Sequence, residues 1–227
     1  MNLLQRFQQL VTLIETALLS RYSNPEMYQQ YVVESGRREL AQEVASVVRS
    51  SGDKINSTKL RVLDVAAGTG LVSQALLQED CSVMAFDHSA EMLEALKEQF
   101  KGITTQVGDM NQPWPFADES FDAVTIVWGN RYIVDLDQFS REVFRVLKPG
   151  GTLVWPIFWL EQPLWWLFLL RNRGLSQLFS IFQLTPTGLA KMLAPQKCTS
   201  IKIRSSKLGK KVGWWQKPSY LIAKKAV

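Results

Sequence analysis

Two cysteines among 227 residues exclude a disulfide framework, and Cys81 and Cys198 lack the spacing that would mark a metal centre. They read as packing thiols in a reduced compartment, and no metal is expected. Acid is absent from residues 162–227, which hold 12 Lys or Arg; the rest of the chain has 14 basic and 21 acidic residues, so charges of +12 and −7 make up the net +5. A basic end of this kind attracts nucleic acid, an anionic membrane surface or an acidic ligand, or simply supplies a solvated face. No internal repeat or low-complexity tract is present, which excludes repeat arrays and disordered classes. The most apolar stretch, residues 153–170, approaches the length of a membrane span. It is interrupted by Pro156, Glu161 and Pro163, and a strand followed by a helix explains it better.

What is present suffices for a sizeable core. With 46% apolar and 21% charged residues, a chain of this length buries about 70% of its unfolded surface, and one domain is the default. Residues 1–19 carry apolar side chains at helical spacing broken by Gln8, Gln9 and Glu15, which predicts an amphipathic helix packed on the domain or touching lipid, not a secretory signal. A second helix is predicted over 26–48 after Asn24-Pro25, then a linker over 49–58. Strands and helices then alternate. Strands are predicted at 60–65, 82–86, 103–106, 121–127 and 151–158, and helices at 71–78, 90–100 and 136–147, the last ended by Lys148-Pro149-Gly150. This alternation predicts a parallel sheet covered by helices.

In such sheets ligands bind beyond the carboxyl ends of the strands. The first strand ends in Asp64-Val65-Ala66-Ala67-Gly68-Thr69-Gly70, whose small residues let backbone approach a ligand. The second ends at Asp87, a carboxylate able to accept from the vicinal hydroxyls of a ribose. The third leads to Gly108-Asp109-Met110, where Asp109 can accept from an adenine amino group and Met110 can pack on the ring. The competing readings are ordinary turns and a rim-packing methionine. Together these ends read as a nucleoside site. A dinucleotide is disfavoured, because Ser73 stands where its fingerprint needs a third glycine and nothing obvious supports a diphosphate. Asp64 suits a cationic ligand terminus, as in an amino-acid-bearing sulfonium.

Asp64 to Gly70, Asp87, Asp109, Phe121-Asp122 and Leu147-Lys148-Pro149-Gly150-Gly151 together resemble the class I S-adenosylmethionine-dependent methyltransferases of the methyltransferase domain 11 type, over residues 60–158. The resemblance implies an α/β, Rossmann-like fold: a seven-stranded sheet of order 3-2-1-4-5-7-6, helices on both faces, and an antiparallel last strand. Residues 199–205 and 219–224 are the expected final pair. It also implies S-adenosyl-L-methionine as cofactor, with Asp64, Ala66, Gly68 and Gly70 around the methionyl part, Asp87 with His88 at the ribose, and Asp109 with Met110 at adenine. Ala66 and Ala67 depart from the commoner glycine-rich loop. Residues 128–135 are similar to the strand-four loop of ubiquinone and menaquinone biosynthesis C-methyltransferases, best at Gly129, Arg131 and Asp135, while Tyr132 replaces their usual Asn.

The resulting organisation is a layer of N-terminal helices over residues 1–58, covering the cofactor or substrate side, and a core over 59–227 with an aromatic lid at about 159–194. Five of the eight tryptophans lie between Trp128 and Trp166, which predicts an aromatic or lipophilic acceptor, quinone-like by the resemblance. Tyr28, Tyr31, Asn130, Arg131, Trp159, Trp165 and Trp166 are the substrate-side candidates. Arg131, Tyr132 and His88 are the candidates for chemistry, Arg131 to orient an oxygen and His88 as the only histidine. Two other readings stay open: a nucleic-acid methyltransferase using the basic C-terminal surface, which no dedicated binding module supports, and a noncatalytic S-adenosylmethionine-binding protein. The expected location is cytoplasmic, with peripheral membrane contact.

Overall fold

The computed structural model describes residues 37–51, 59–129, 132–157, 198–205 and 219–227. Helix α1 (Arg37–Ser51) precedes β1 (Arg61–Val65), α2 (Leu71–Gln78), β2 (Ser82–Asp87), α3 (Ala90–Gln99) and β3 (Thr104–Val107). The chain continues through β4 (Phe121–Ile126), α4 (Leu136–Val146), β5 (Leu147–Ile157), β6 (Cys198–Ser205) and β7 (Ser219–Lys225). These strands form one sheet of order β3-β2-β1-β4-β5-β7-β6, as the resemblance implied. β1 to β5 pair in parallel, and β7 is antiparallel to both β5 and β6. The order reverses between β1 and β4. A crevice therefore opens at their carboxyl ends.

Alternate residues of the strands feed two cores, because side chains along a strand point to opposite faces. On one face Val62, Val83, Ala85, Ala123 and Val154 pack beneath α1, α2 and α3 through Leu40, Val44, Leu76, Leu93 and Leu96. On the other, Leu63, Phe86, Val124, Ile126 and Trp155 meet Phe139 and Val143 of α4. Trp114 and Phe116, from the segment after β3, close that second face. Phe86, Trp114, Phe139 and Trp155 form a chain of tilted and edge-on contacts 5.6 to 5.8 Å between centroids.

Local signals position the helices. Ser89 Oγ accepts from Met92 N at 3.2 Å, and Asp135 Oδ1 accepts from Asp137 N and Gln138 N, so α3 and α4 start on capped turns. Helix α2 begins without a side-chain cap, directly after Gly70 at φ 86°.

Two boundaries differ from the sequence reading by more than one residue. Helix α1 runs to Ser51, not 48; Ser50 and Ser51 donate their hydroxyls to Val47 O at 3.0 and 2.7 Å, which lets polar residues continue the last turn. Strand β5 starts at Leu147, not 151, because Leu147 already pairs with Phe121 before a bulge restores the register at Ala123 and Thr152. Helix α4 thus passes into β5 with no linker. Among the described residues no helix is long and apolar enough to cross a membrane.

Candidate functional site

Asp64 is the penultimate residue of β1 and lies beside Thr125 of β4 in register. Both side chains fall on the face covered by α2. Thr125 Oγ1 donates to Asp64 Oδ1 at 2.9 Å, and Ser73 Oγ, from the first turn of α2, donates to Oδ2 at 2.6 Å. Burial pushes the Asp64 carboxyl up from its ordinary 3.8 to about 6; the two hydroxyl donors oppose this, and the nearby charge of Asp87 adds to it. At neutral pH the group is mostly ionised. It is a fully enclosed negative charge held by two neutral donors.

The chain then turns sharply. Ala66, Gly68 and Gly70 all take left-handed backbone, at φ 57°, 55° and 86°. At Gly70 a Cβ would stand 2.6 Å from Leu96 Cγ, so α3 packs against bare backbone there. Ala66 bears a side chain in a conformation that costs an L-residue about 1–2 kcal/mol. The space beside it comes from Gly129, whose Cβ would lie 2.5 Å from that of Ala66. The Ala66 departure noted in the sequence is therefore matched by a glycine at the end of β4.

Asp87 joins the first two strand ends. Its Oδ2 accepts from Gly68 N at 2.8 Å and its Oδ1 from Ser89 N at 3.0 Å, with His88 Nδ1 3.2 Å from Oδ1. Oδ2, with one protein donor, retains a further lone pair. Gly108 N donates to Asp87 O at 2.9 Å, which brings the third strand end alongside. Asp109 is exposed there, and its Oδ1 accepts from the backbone N and Nδ2 of Asn111. Met110 is buried in the second-face core, with its carbonyl accepting from Trp114 Nε1 at 3.1 Å.

A depression between the first loop, α2 and the end of β4 is lined by Asp64, Ala66, Ala67, Leu71, Val72, Val127 and Trp128. Above it, the buried Arg37 guanidinium of α1 stacks 4.8 Å over the Trp128 ring. Thr69 is fully buried in the loop, and its hydroxyl has no hydrogen-bond partner among the described residues. Such a hydroxyl costs about 1–3 kcal/mol unless a ligand satisfies it. The buried acid and apolar residues of the depression, with an orphaned hydroxyl in the adjoining loop, fit the amino-acid end of S-adenosylmethionine. Among the described residues no cluster of His, Cys, Asp and Glu is arranged to hold a metal ion.

The structure thus brings Asp64, Ala66, Gly68, Gly70, Asp87, His88, Asp109 and Met110 to one edge of the sheet. Tyr132 lies on the segment leading to α4 and is partly exposed. Tyr28, Tyr31, Asn130, Arg131, Trp159, Trp165 and Trp166 lie outside the described residues, as does the expected lid. Sequence reasoning passed over Thr125 and Asn111 and took Ser73 only as a missing glycine. Thr125 was discoverable, since it falls directly opposite Asp64 once β1 and β4 are aligned. Ser73 is the third residue of the helix that follows the loop, where its hydroxyl reaches back to the strand.

The sheet order is that of the Rossmann-like S-adenosylmethionine-dependent methyltransferases, and residues 63–155 match the methyltransferase domain family. Two curated relatives make the comparison more particular. Over 147 residues the chain is 37% identical to the ubiquinone/menaquinone biosynthesis C-methyltransferase of Geotalea daltonii, covering 57% of this chain and 62% of that protein. Over 105 residues it is 41% identical to the demethylmenaquinone methyltransferase of Streptomyces griseus, covering 46% and 44%. The matched region therefore spans about half the length of these relatives. Among solved structures, a methyltransferase from Methanosarcina mazei aligns over 76% of this chain and 95% of its own, with a TM-score of 0.58 at 23% identity. One from Aquifex aeolicus aligns over 88% and 98%, with a TM-score of 0.57 at 18% identity. These two likenesses speak to the fold alone.

Proposed function

We propose that the protein transfers a methyl group from S-adenosylmethionine to a small lipophilic acceptor of quinone type. The observation that carries the cofactor half is the Gly68 N–H to Asp87 bond, which ties the glycine loop and the second strand end into one rim. The acceptor half rests on the curated relatives' names and on the tryptophan-rich stretch after β5.

In this reading Asp64, Ala66, Gly68 and Gly70 surround the methionyl end, with Asp64 compensating its ammonium charge and Thr69 offering a hydroxyl. Asp87 accepts from the ribose hydroxyls, and Asp109 accepts from the adenine amino group. Met110 supports the adenine side from below, since its side chain belongs to the core. His88 is mostly open to solvent on Asp87, and we assign it to the adenosine side, not to proton transfer.

When bound, the cofactor supplies a methyl group already electrophilic on a sulfonium. The protein's work is then alignment and exclusion of water. Arg131 and Tyr132 stand next to the end of β4 in sequence, where they would orient an acceptor oxygen, while Tyr28, Tyr31, Asn130, Trp159, Trp165 and Trp166 would enclose its apolar part. In this reading the protein is cytoplasmic and meets its acceptor at a membrane surface.

The test is transfer of labelled methyl from S-adenosylmethionine to reduced benzoquinones and naphthoquinones that lack a ring methyl, with RNA and DNA as parallel acceptors. Label on a quinone carbon is the expected outcome. Label in nucleic acid, or cofactor binding with no transfer to any acceptor, would overturn the reading.

A further inference from the structure

Asn111 touches three separate parts of the site. Its backbone N and its Nδ2 donate to Asp109 Oδ1 at 2.8 and 3.1 Å. Nδ2 also donates to the carbonyl of Tyr132 at 3.0 Å, and Oδ1 accepts from the amide of Val134 at 2.8 Å. The Asn111 carbonyl in turn accepts from Gln138 Nε2 at 3.0 Å, in the first turn of α4. A carboxamide carries two donor hydrogens and an acceptor on one rigid plane, and here they meet a carboxylate, a carbonyl and an N–H. A carboxylate at this position would lose both donors. A shorter hydroxyl would not span the gap.

The segment it holds is largely exposed, and apart from Asn111 it is held by Tyr132 N donating to Gly129 O at 3.0 Å and by the Asp135 cap of α4. Tyr132 and Val134 are 39% and 84% exposed, and Ile133 between them is only partly buried on the second-face core. Packing therefore does not set the path of this backbone, and polar contacts must. The same side chain commits Asp109 Oδ1, which leaves Oδ2 for a ligand donor.

We propose that Asn111 is a positioning residue that couples occupancy of the adenine side, at Asp109, to the order of the substrate-side segment through Tyr132, Val134 and the start of α4. The proposal rests on the cofactor reading above. A ligand donor on Oδ2 fixes the torsion of the carboxylate, Asn111 is then held from one side, and its grip on the Tyr132 carbonyl and the Val134 amide tightens. Because coupling is reciprocal, an ordered segment also strengthens cofactor binding.

The test uses S-adenosylhomocysteine as probe, with calorimetry for affinity and NMR-detected solvent exchange of the Val134 amide for order. In the unaltered protein the probe should slow that exchange about 5-fold, the worth of one hydrogen bond of ordinary net strength. Asn111→Ala should quicken exchange by about the same factor, abolish its response to the probe and weaken binding about 3-fold, with melting nearly unchanged. Asn111→Asp puts a carboxylate oxygen where Nδ2 faces the Asp109 carboxylate and the Tyr132 carbonyl, so it should leave the free-protein exchange fast and likewise unresponsive to the probe. It also serves as the working variant if the alanine form melts early. A Val134 amide still slowed by the probe in both variants would overturn the coupling while leaving the cofactor site intact. An unaltered, folded protein that does not bind the probe would overturn the cofactor reading, and this proposal with it.

Discussion

At the scale of the residue, Asp64 is where stability and the proposed cofactor contact pull in opposite directions. Its carboxyl is raised from 3.8 to about 6, chiefly by burial, so between those pH values the folded chain holds a proton that the unfolded chain has released. Stability from this group is present at low pH and is lost as pH rises through the window, at a cost on the order of 3 kcal/mol by pH 7. Asp64→Asn keeps the shape and removes the charge. The variant should therefore melt higher than the unaltered protein at pH 7.5 and nearly level with it at pH 4, while binding S-adenosylhomocysteine about 10-fold more weakly. Thermal melts of both proteins across that range check the sign, and a difference that does not grow with pH would contradict it. Ser73 and Thr125 make the ionised form tolerable, since each gives Asp64 a donor that water would otherwise supply.

At the scale of the element, the first loop and the end of β4 are fitted to each other. Ala66 takes left-handed backbone, and its methyl occupies the space that a side chain at position 129 would need. Gly129→Ala should cost about 2 kcal/mol, as expected for forcing a methyl into a filled site. Adding Ala66→Gly should recover most of that loss, and a chemical-denaturation cycle of the four proteins measures the coupling. Strict additivity would contradict the fit.

Much of this layer was legible beforehand, because apolar strands buried on both faces and glycine-marked helix ends are local signals. Phe121-Asp122 and Leu147-Lys148-Pro149-Gly150-Gly151 located β4 and β5 within a few residues. What escaped the sequence was what depends on a partner. The early start of β5 follows from Leu147 pairing with Phe121, and the late end of α1 from two serine hydroxyls that return to the helix. The contacts of Asn111 escaped for the same reason, since they join residues more than twenty positions apart.

At the scale of the whole molecule, the sheet order places three strand ends along one edge, and backbone hydrogen bonds to Asp87 hold them together. Its side chain serves two purposes: it accepts from the N–H groups of Gly68 and Ser89, and its Oδ2 retains a lone pair for a ligand. From sequence alone, Asp87 reads as an acceptor for ribose hydroxyls, with no structural duty assigned. The structure adds that duty, so Asp87→Ala should lower stability by about 2 kcal/mol as two backbone donors lose their partner. The N-terminal and C-terminal parts also meet, since Tyr220 of β7 donates its hydroxyl to Glu43 of α1 at 2.8 Å. Helix α1 is thereby joined to the sheet it covers, and Arg37 at its start is set over Trp128.

The most direct test of the account is calorimetric titration of S-adenosylhomocysteine into the unaltered protein and into Asp87→Ala, at a temperature where circular dichroism shows both folded. One site per chain with micromolar affinity is expected, weakened about 30-fold or more in the variant by loss of the ribose contacts. No binding at millimolar ligand by the unaltered protein, or equal affinity in the two, would contradict it.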